Sequence, residues 1–161
     1  PWFYKRGGKY YLLYAAGGVP EHISYSMSDS PTGPWKYMGK IMPLQDTNSF
    51  TNHCGVVDFK GKSYFAYHTG WLPGGGGFTR SVCIEEFKYN EDGTIPTIMA
   101  TKEGVAPVGT LNPYLKTEAE TMAWGLGLKT GQDSNTGVYV TSIRNGGRLK
   151  GREVDFGNIG A

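Results

Sequence analysis

The stretch Lys9-Tyr10-Tyr11-Leu12-Leu13-Tyr14-Ala15-Ala16-Gly17 decides the fold, because it returns 53 residues later as Lys62-Ser63-Tyr64-Phe65-Ala66-Tyr67-His68-Thr69-Gly70. The leading Lys, two Tyr and the closing Gly are identical in the two copies. Each copy is a run of aromatic and small apolar residues of strand length, bounded by glycine. Around the first copy, Trp2 to Lys5, Tyr10 to Ala15, Ile23 to Met27 and Trp35 to Ile41 read as further short strands. The turns between them are Arg6-Gly7-Gly8-Lys9 and Ser30-Pro31-Thr32-Gly33-Pro34, whose Gly and Pro residues suit tight reversals. These runs form one four-stranded meander.

The correspondence continues downstream, where Asp29-Ser30-Pro31-Thr32-Gly33 has its counterpart in Tyr89-Asn90-Glu91-Asp92-Gly93 at a spacing of 60. The second copy carries the longer loop Trp71-Leu72-Pro73-Gly74-Gly75-Gly76-Gly77, and insertions in repeats fall in loops. A repeat of about 50 residues with four short strands is the pattern of a β-propeller blade, and propellers close with about four to eight blades. Two blades do not close a ring, and residue 1 is Pro, one residue before a strand. The expectation is therefore a fragment of a longer chain.

Composition agrees with an all-β reading. Aromatic residues make 14% and charged residues 19% of 161 residues, which argues against disorder and against a long solvated helix. The 25 Gly and 9 Pro make the chain turn-rich. A net charge of +2, with no basic block beyond Lys5-Arg6, lacks the stripe that neutralises nucleic-acid phosphates. No apolar run approaches the ~20 residues needed to span a bilayer. Neither nucleic acid nor a membrane is an expected partner. Cys54 and Cys83 lie in apolar runs, where either a buried thiol pair or one bridge fits.

After Ile98 the pattern changes. Ala106-Pro107-Val108-Gly109-Thr110-Leu111-Asn112-Pro113 reads as a linker. Expected boundaries are 1–105 for the blades, 106–115 for the linker and 116–161 for a second domain. Within the last segment, Thr117 to Thr121, Gly137 to Ile143 and Arg148 to Asp155 are strand candidates, with a turn at Arg144-Asn145-Gly146-Gly147.

Polar side chains at the blade starts are the candidates for chemistry. In the second blade the segment Ser49 to Asp58 takes the innermost position, and His53 is the side chain able to point into the axial channel. On spacing alone it is either a hydrogen-bonded structural residue or a ligand. If the Arg6-Gly7-Gly8-Lys9 turn is one residue longer than its counterpart, the position equivalent to His53 in the first blade falls two residues before Pro1. Gly74-Gly75-Gly76-Gly77 is followed by no Lys-Ser or Lys-Thr, so it reads as a flexible rim loop rather than a phosphate cradle.

Three segments, Pro1 to Tyr14, Ser28-Asp29-Ser30-Pro31-Thr32-Gly33-Pro34-Trp35 and Asn52-His53-Cys54-Gly55-Val56-Val57, resemble glycoside hydrolase family 43 over about residues 1 to 105. The resemblance implies a five-bladed propeller, of which this chain holds the last two blades. It implies inverting cleavage of arabinofuranosyl or xylosyl linkages by an Asp base, a second Asp that tunes and orients, and a Glu acid. Inversion places two carboxyl groups about 6.5 to 9.5 Å apart, with room for the attacking water. The family's acid lies in a Glu-small-Pro segment ahead of the Tyr-Lys hairpin, two residues before Pro1, and its aspartates belong to earlier blades. No catalytic carboxylate is then expected within the chain, which alone is expected to be inactive; Glu21, Asp46 and Asp58 read as loop and turn acids.

By the same resemblance, His53 corresponds to the axial histidine that helps hold calcium, through water, since calcium prefers oxygen ligands. Arg80 corresponds to the arginine that reaches the sugar, its fork of donors suiting vicinal hydroxyls. Glu21, His22 and Trp71 are candidates for the pocket rim, Trp71 by stacking on a pyranose; ordinary loop packing explains them equally. Lys116-Thr117-Glu118-Ala119-Glu120-Thr121 and Val154-Asp155-Phe156-Gly157 resemble the opening of a family 6 carbohydrate-binding module, a β-sandwich of jelly-roll type. That resemblance makes Glu118 and Glu120, on one face of a strand, candidate structural calcium ligands. Where the module family has Asn-Gly-Asp with an aromatic, this chain has Asn145-Gly146-Gly147-Arg148. The expected whole is a secreted or periplasmic enzyme acting on xylan or arabinoxylan. The rival class is a non-catalytic carbohydrate-binding propeller joined to a sandwich.

Overall fold

A computed structural model of the chain describes residues 1–122 and 124–158. Position 123 and positions 159–161 of the expected sandwich segment lie outside the described residues. Eleven strands and one 3-10 turn make the described structure all-β. Among the described residues no helix is long and apolar enough to cross a membrane. The chain forms two compact units, Pro1–Val105 and Ala106–Ala161.

In the first unit, β1 (Trp2–Arg6), β2 (Lys9–Ala16), β3 (His22–Ser28) and β4 (Lys36–Met42) form one antiparallel sheet in sequence order. A second sheet holds β5 (Gly55–Phe59), β6 (Lys62–Thr69) and β7 (Ser81–Phe87), again in order. Alternation explains their burial. On β2 the inward Tyr11 and Leu13 are almost wholly buried, and on β3 Ile23, Tyr25 and Met27 join the core. They pack with Ile41 and Met42 of β4 and with Val56, Phe65, Tyr67 and Phe87 of the second sheet. The other face of β3 is small and polar, with Ser24, Ser26 and Ser28 buried.

The repeat is visible in the hairpins. Arg6 pairs with Lys9 across Gly7-Gly8, and Phe59 pairs with Lys62 across Lys60-Gly61. The two turns thus have equal length, which corrects the expectation of a longer first turn. Strand by strand, the counterpart of His53 falls one position before Pro1 rather than two. The later turns correspond as well: Gly33 N–H donates to Ser30 O at 3.2 Å and Gly93 N–H to Asn90 O at 2.9 Å. Beyond Gly93 the copies part, because among the described residues no fourth strand follows β7 in its sheet.

Instead residues 93–104 cross back as a strap. Tyr11 donates its hydroxyl to Gly93 O at 2.8 Å, and the Tyr25 hydroxyl accepts Ile95 N–H at 3.1 Å. Ile98 N–H donates to Ile41 O at 2.7 Å, and Ala100 N–H to Gln45 Oε1 at 2.7 Å. The strap's far end is held by Glu85 of β7. This buried carboxylate accepts Tyr67 OH and Thr101 N–H, both at 2.8 Å, and the Thr101 hydroxyl at 3.0 Å. Ile95 and Ile98 turn into the core, which offsets the ordering of an extended segment.

In the second unit, β9 (Lys129–Asp133) and β10 (Gly137–Thr141) form a hairpin, and β8 (Trp124–Leu126) pairs with β11 (Arg148–Lys150). A parallel bridge joins Leu111 to Val154. The strand expected over 117–121 is instead a 3-10 turn, Ala119–Thr121, with Glu118 at its N-cap. Ala and Glu have weak strand preference, and Glu118 is extended at the cap while Glu120 lies within the turn. Glu118 and Glu120 therefore do not share a strand face. Glu118 pairs with Lys116 at 2.5 Å, while Glu120 lines a recess with Trp124, Leu128 and Thr130.

Candidate functional site

Antiparallel pairing brings the candidate residues of the first unit to one end of its sheets. The start of β5, the end of β6 and the start of β7 are adjacent, since Gly55 pairs with Ala66 and Thr69 with Ser81. Thr51, Asn52, His53 and Arg80 just precede these strands, and His68 is the penultimate residue of β6. The first sheet joins them through Glu21, immediately before β3, whose N–H donates to Phe50 O at 3.0 Å.

His53 is exposed, and its ring stacks on His68 with centroids 5.9 Å apart at 23°. His68 is 7% exposed, and its Nε2 hydrogen-bonds the Thr51 hydroxyl at 3.0 Å. Burial, then the positive charges of Arg80 and His53, hold His68 below the ordinary imidazole range. His68 is thus a neutral brace under an exposed histidine. Arg80 is exposed and has no ion pair among the described residues, so its five donors face solvent or a ligand.

Glu21 and His22 serve the scaffold. Glu21 Oε2 accepts Asn52 N–H at 2.7 Å and so fixes the backbone next to His53. His22 is buried against Gly17, whose φ is +90°; a Cβ there would stand 2.4 Å from the imidazole. Burial lowers the proton affinity of His22, and Lys40 adds to the effect. Trp71 donates its indole N–H to Asp46 O at 3.2 Å, and the Lys102 ammonium lies 5.8 Å from its ring centroid. Asp58 accepts the Ser63 hydroxyl at 2.5 Å and faces Arg6, as a turn acid does.

The glycine run is packed rather than free. Asn48 Nδ2 donates to Gly70 O at 2.9 Å and Gly75 O at 3.3 Å, and Gly76 N–H donates to Thr79 O at 3.2 Å. A Cβ on Gly70 would stand 2.3 Å from Asn48 O, and one on Gly77 2.0 Å from the Phe50 ring. Close backbone approach is what Gly75 and Gly77 supply, while Gly74, at φ +78°, supplies a left-handed turn with open space around it.

Among the described residues no three His, Cys, Asp or Glu side chains converge on a metal position. Calcium takes six to eight oxygens; here His53 offers nitrogen and Glu21 is engaged with Asn52. These residues do not by themselves make a calcium shell. Cys54 and Cys83 are unbridged, and burial pushes the Cys54 thiol up to about 12.

Sequence reasoning missed His68 and Thr51. A signal was present: across the repeat His68 stands where the first copy has Ala15, a titratable ring in place of a methyl group.

Residues 1–95 match the glycosyl hydrolases family 43. The chain is 34% identical to an arabinoxylan arabinofuranohydrolase of Paenibacillus polymyxa, over 98% of this chain and 28% of that protein. It is 35% identical to an arabinoxylan arabinofuranohydrolase of Bacillus subtilis, over 98% of this chain and 35% of that protein. In structure it resembles the family 43 arabinoxylan arabinofuranohydrolase from Bacillus subtilis in complex with cellotetraose, with a TM-score of 0.74 and 32% identity, over 97% of this chain and 36% of the other. It also resembles a beta-xylosidase/alpha-arabinofuranosidase from a compost microbial metagenome, in complex with xylotriose and in calcium-free form. There the TM-score is 0.56 and the identity 40%, over 61% of this chain and 29% of the other. The chain thus spans about a third of the length of these relatives. Through its first unit, it belongs to glycosyl hydrolases family 43.

Proposed function

We propose that this chain is part of a glycosidase that removes arabinofuranosyl or xylosyl units from arabinoxylan or xylan with inversion. The observation that carries the reading is the extent of the similarity. Relatives named xylosidase/arabinosidase or beta-xylosidase match 60% to 63% of the chain, whereas the two arabinoxylan arabinofuranohydrolases match 98%, through both units. Removal of arabinofuranosyl side groups is therefore the favoured activity.

In this reading β1–β4 and β5–β7 are the last two blades of a five-bladed propeller, and the second unit begins a sandwich of carbohydrate-binding type. The general acid sits two residues before Pro1 and both aspartates on earlier blades, so the 161-residue chain alone releases no sugar. Arg80 donates to vicinal hydroxyls of the bound sugar, with Trp71, Glu21 and His22 forming or supporting the rim. His53 meets calcium through water as one corner of a shell completed by other residues. A polymeric cell-wall substrate places the enzyme outside the cell or in the periplasm.

The test is assay of the full-length protein carrying this chain on soluble arabinoxylan, with the anomeric configuration of the released sugar followed by proton NMR. Arabinose released with inverted configuration supports the proposal. Binding without any release supports a non-catalytic carbohydrate-binding propeller instead, and retained configuration removes the inverting mechanism.

A further inference from the structure

We propose that Phe78, propped edge-on by Phe50, is an aromatic platform on which a xylopyranosyl ring of the polysaccharide main chain stacks, beside the His53, His68 and Arg80 cluster. The proposal rests on the glycosidase reading above for its ligand class. Phe78 is 86% exposed, more than any other large apolar side chain among the described residues. Its ring meets Phe50 edge-on, with centroids 5.1 Å apart at 80°, and Phe50 is itself 38% exposed. Water gains nothing from such a pair, and no core burial is at stake for Phe78.

The backbone beneath the pair is built to hold it. Gly77 lies directly under the Phe50 ring, where any side chain would collide. Gly76 N–H donates to Thr79 O at 3.2 Å, and Thr79 Oγ1 donates to Gly74 O at 2.9 Å, so hydrogen bonds bracket Phe78 on both sides. The platform is also tied to the polar cluster. The Thr51 hydroxyl that binds His68 reaches Gly77 O at 3.3 Å, next to Phe78. Phe50 O accepts the N–H of Glu21, whose carboxylate fixes Asn52 beside His53. An exposed apolar surface on a hydrogen-bonded loop, continuous with unpaired donors, has the make-up of a sugar site: apolar face below, polar groups at the side. A xylopyranose suits it because its substituents are equatorial and leave axial C–H bonds on both faces of the ring, which pack on an aromatic face.

Trp71 is the other aromatic of this loop, but Asp46 O holds its indole and Lys102 lies over its ring. Phe78 carries neither constraint.

The experiment is affinity electrophoresis of the full-length protein carrying this chain, in native gels containing soluble arabinoxylan, with Phe78→Ala, Phe78→Tyr and, as a control, Tyr37→Ala. Tyr37 is 57% exposed on β4 and lies outside the platform. Phe78 contributes nothing to the core, so its variants fold; matching circular dichroism checks this. Stacking of this kind predicts a roughly three- to tenfold weaker retardation for Phe78→Ala, rescue by Phe78→Tyr, and no change for Tyr37→Ala. Equal retardation of Phe78→Ala and wild type, or no retardation of the wild-type full-length protein, overturns the platform. Because the gel needs no turnover, a full-length protein that fails to hydrolyse arabinoxylan sinks the glycosidase reading while leaving this result to stand or fall by itself.

Discussion

Replacing His68 tests the bracing of the site most directly. His68→Ala removes a hydrogen bond to Thr51, worth about 1 kcal/mol, and leaves a cavity where a buried imidazole stood. The Thr51 hydroxyl keeps its contact with Gly77 O, so it is not left wholly unpaired. The combined loss is about 2 to 3 kcal/mol at pH 7.5. The ring also sets a pH dependence. Its folded-state proton affinity is below the ordinary value of 6.5, so above that pH both folded and unfolded chains carry it neutral and its contribution is intact. As pH falls below 6.5 the unfolded chain takes up a proton that the folded chain resists, and stability declines until the folded value is passed. The steepest slope one such group can give is about 1.4 kcal/mol per pH unit. His68→Gln keeps a hydrogen-bonding end near Thr51 but does not titrate, so it retains most of the stability at pH 7.5 and loses the slope. His22 contributes equally to both proteins and cancels. Urea titrations of wild type, His68→Ala and His68→Gln between pH 7.5 and 5, followed by circular dichroism, give these differences. Identical pH slopes for wild type and His68→Gln, or a loss below about 0.5 kcal/mol for His68→Ala, would refute the argument.

Three further outcomes are expected. Glu85→Ala leaves the Tyr67 hydroxyl and the Thr101 amide without their acceptor and costs about 3 to 4 kcal/mol in urea titrations, while Glu85→Gln, which keeps one carbonyl oxygen, costs less than half as much; equal losses contradict the role given to the carboxylate. Cys54, with its thiol pushed up to about 12 by burial, alkylates with iodoacetamide at pH 8 about a thousandfold more slowly in the folded chain than in urea, as mass spectrometry of the Cys54 peptide will show. In the full-length protein, His53→Ala reduces both the rise in melting temperature on adding calcium and the turnover of arabinoxylan; unchanged values for both remove His53 from the site.

The fold of the first unit was legible where local chemistry repeats. Alternating aromatics located β1 to β4 within a residue or two, and the 53-residue spacing marked β2 and β6 as equivalent. The strap was not legible, because Thr94-Ile95-Pro96-Thr97-Ile98 has no strand alternation and its hydrogen bonds go to Ile41 and Tyr25, far away in sequence. Lys129-Thr130-Gly131-Gln132-Asp133 became a strand despite its polarity, since cross-strand pairing with Gly137–Thr141 decides it. At the site, His53 and Arg80 stood out by resemblance. Their brace did not, because the Thr51 and His68 contact depends on strand register between segments 17 residues apart.

The strap also governs how the first unit bears load. A pull applied at Val105 reaches Gly104 and Thr101 before it reaches β7, and Gly104 N–H is tied to the Thr101 hydroxyl at 3.1 Å while Thr101 is anchored on Glu85. Force entering from the C-terminal side is therefore divided between Glu85 on one sheet and, through Ile98, the Ile41 carbonyl on the other. Neither sheet can peel away strand by strand from that end until the strap has been stripped, so traction entering beyond residue 105 leaves the His53 and Arg80 end of the unit mechanically shielded.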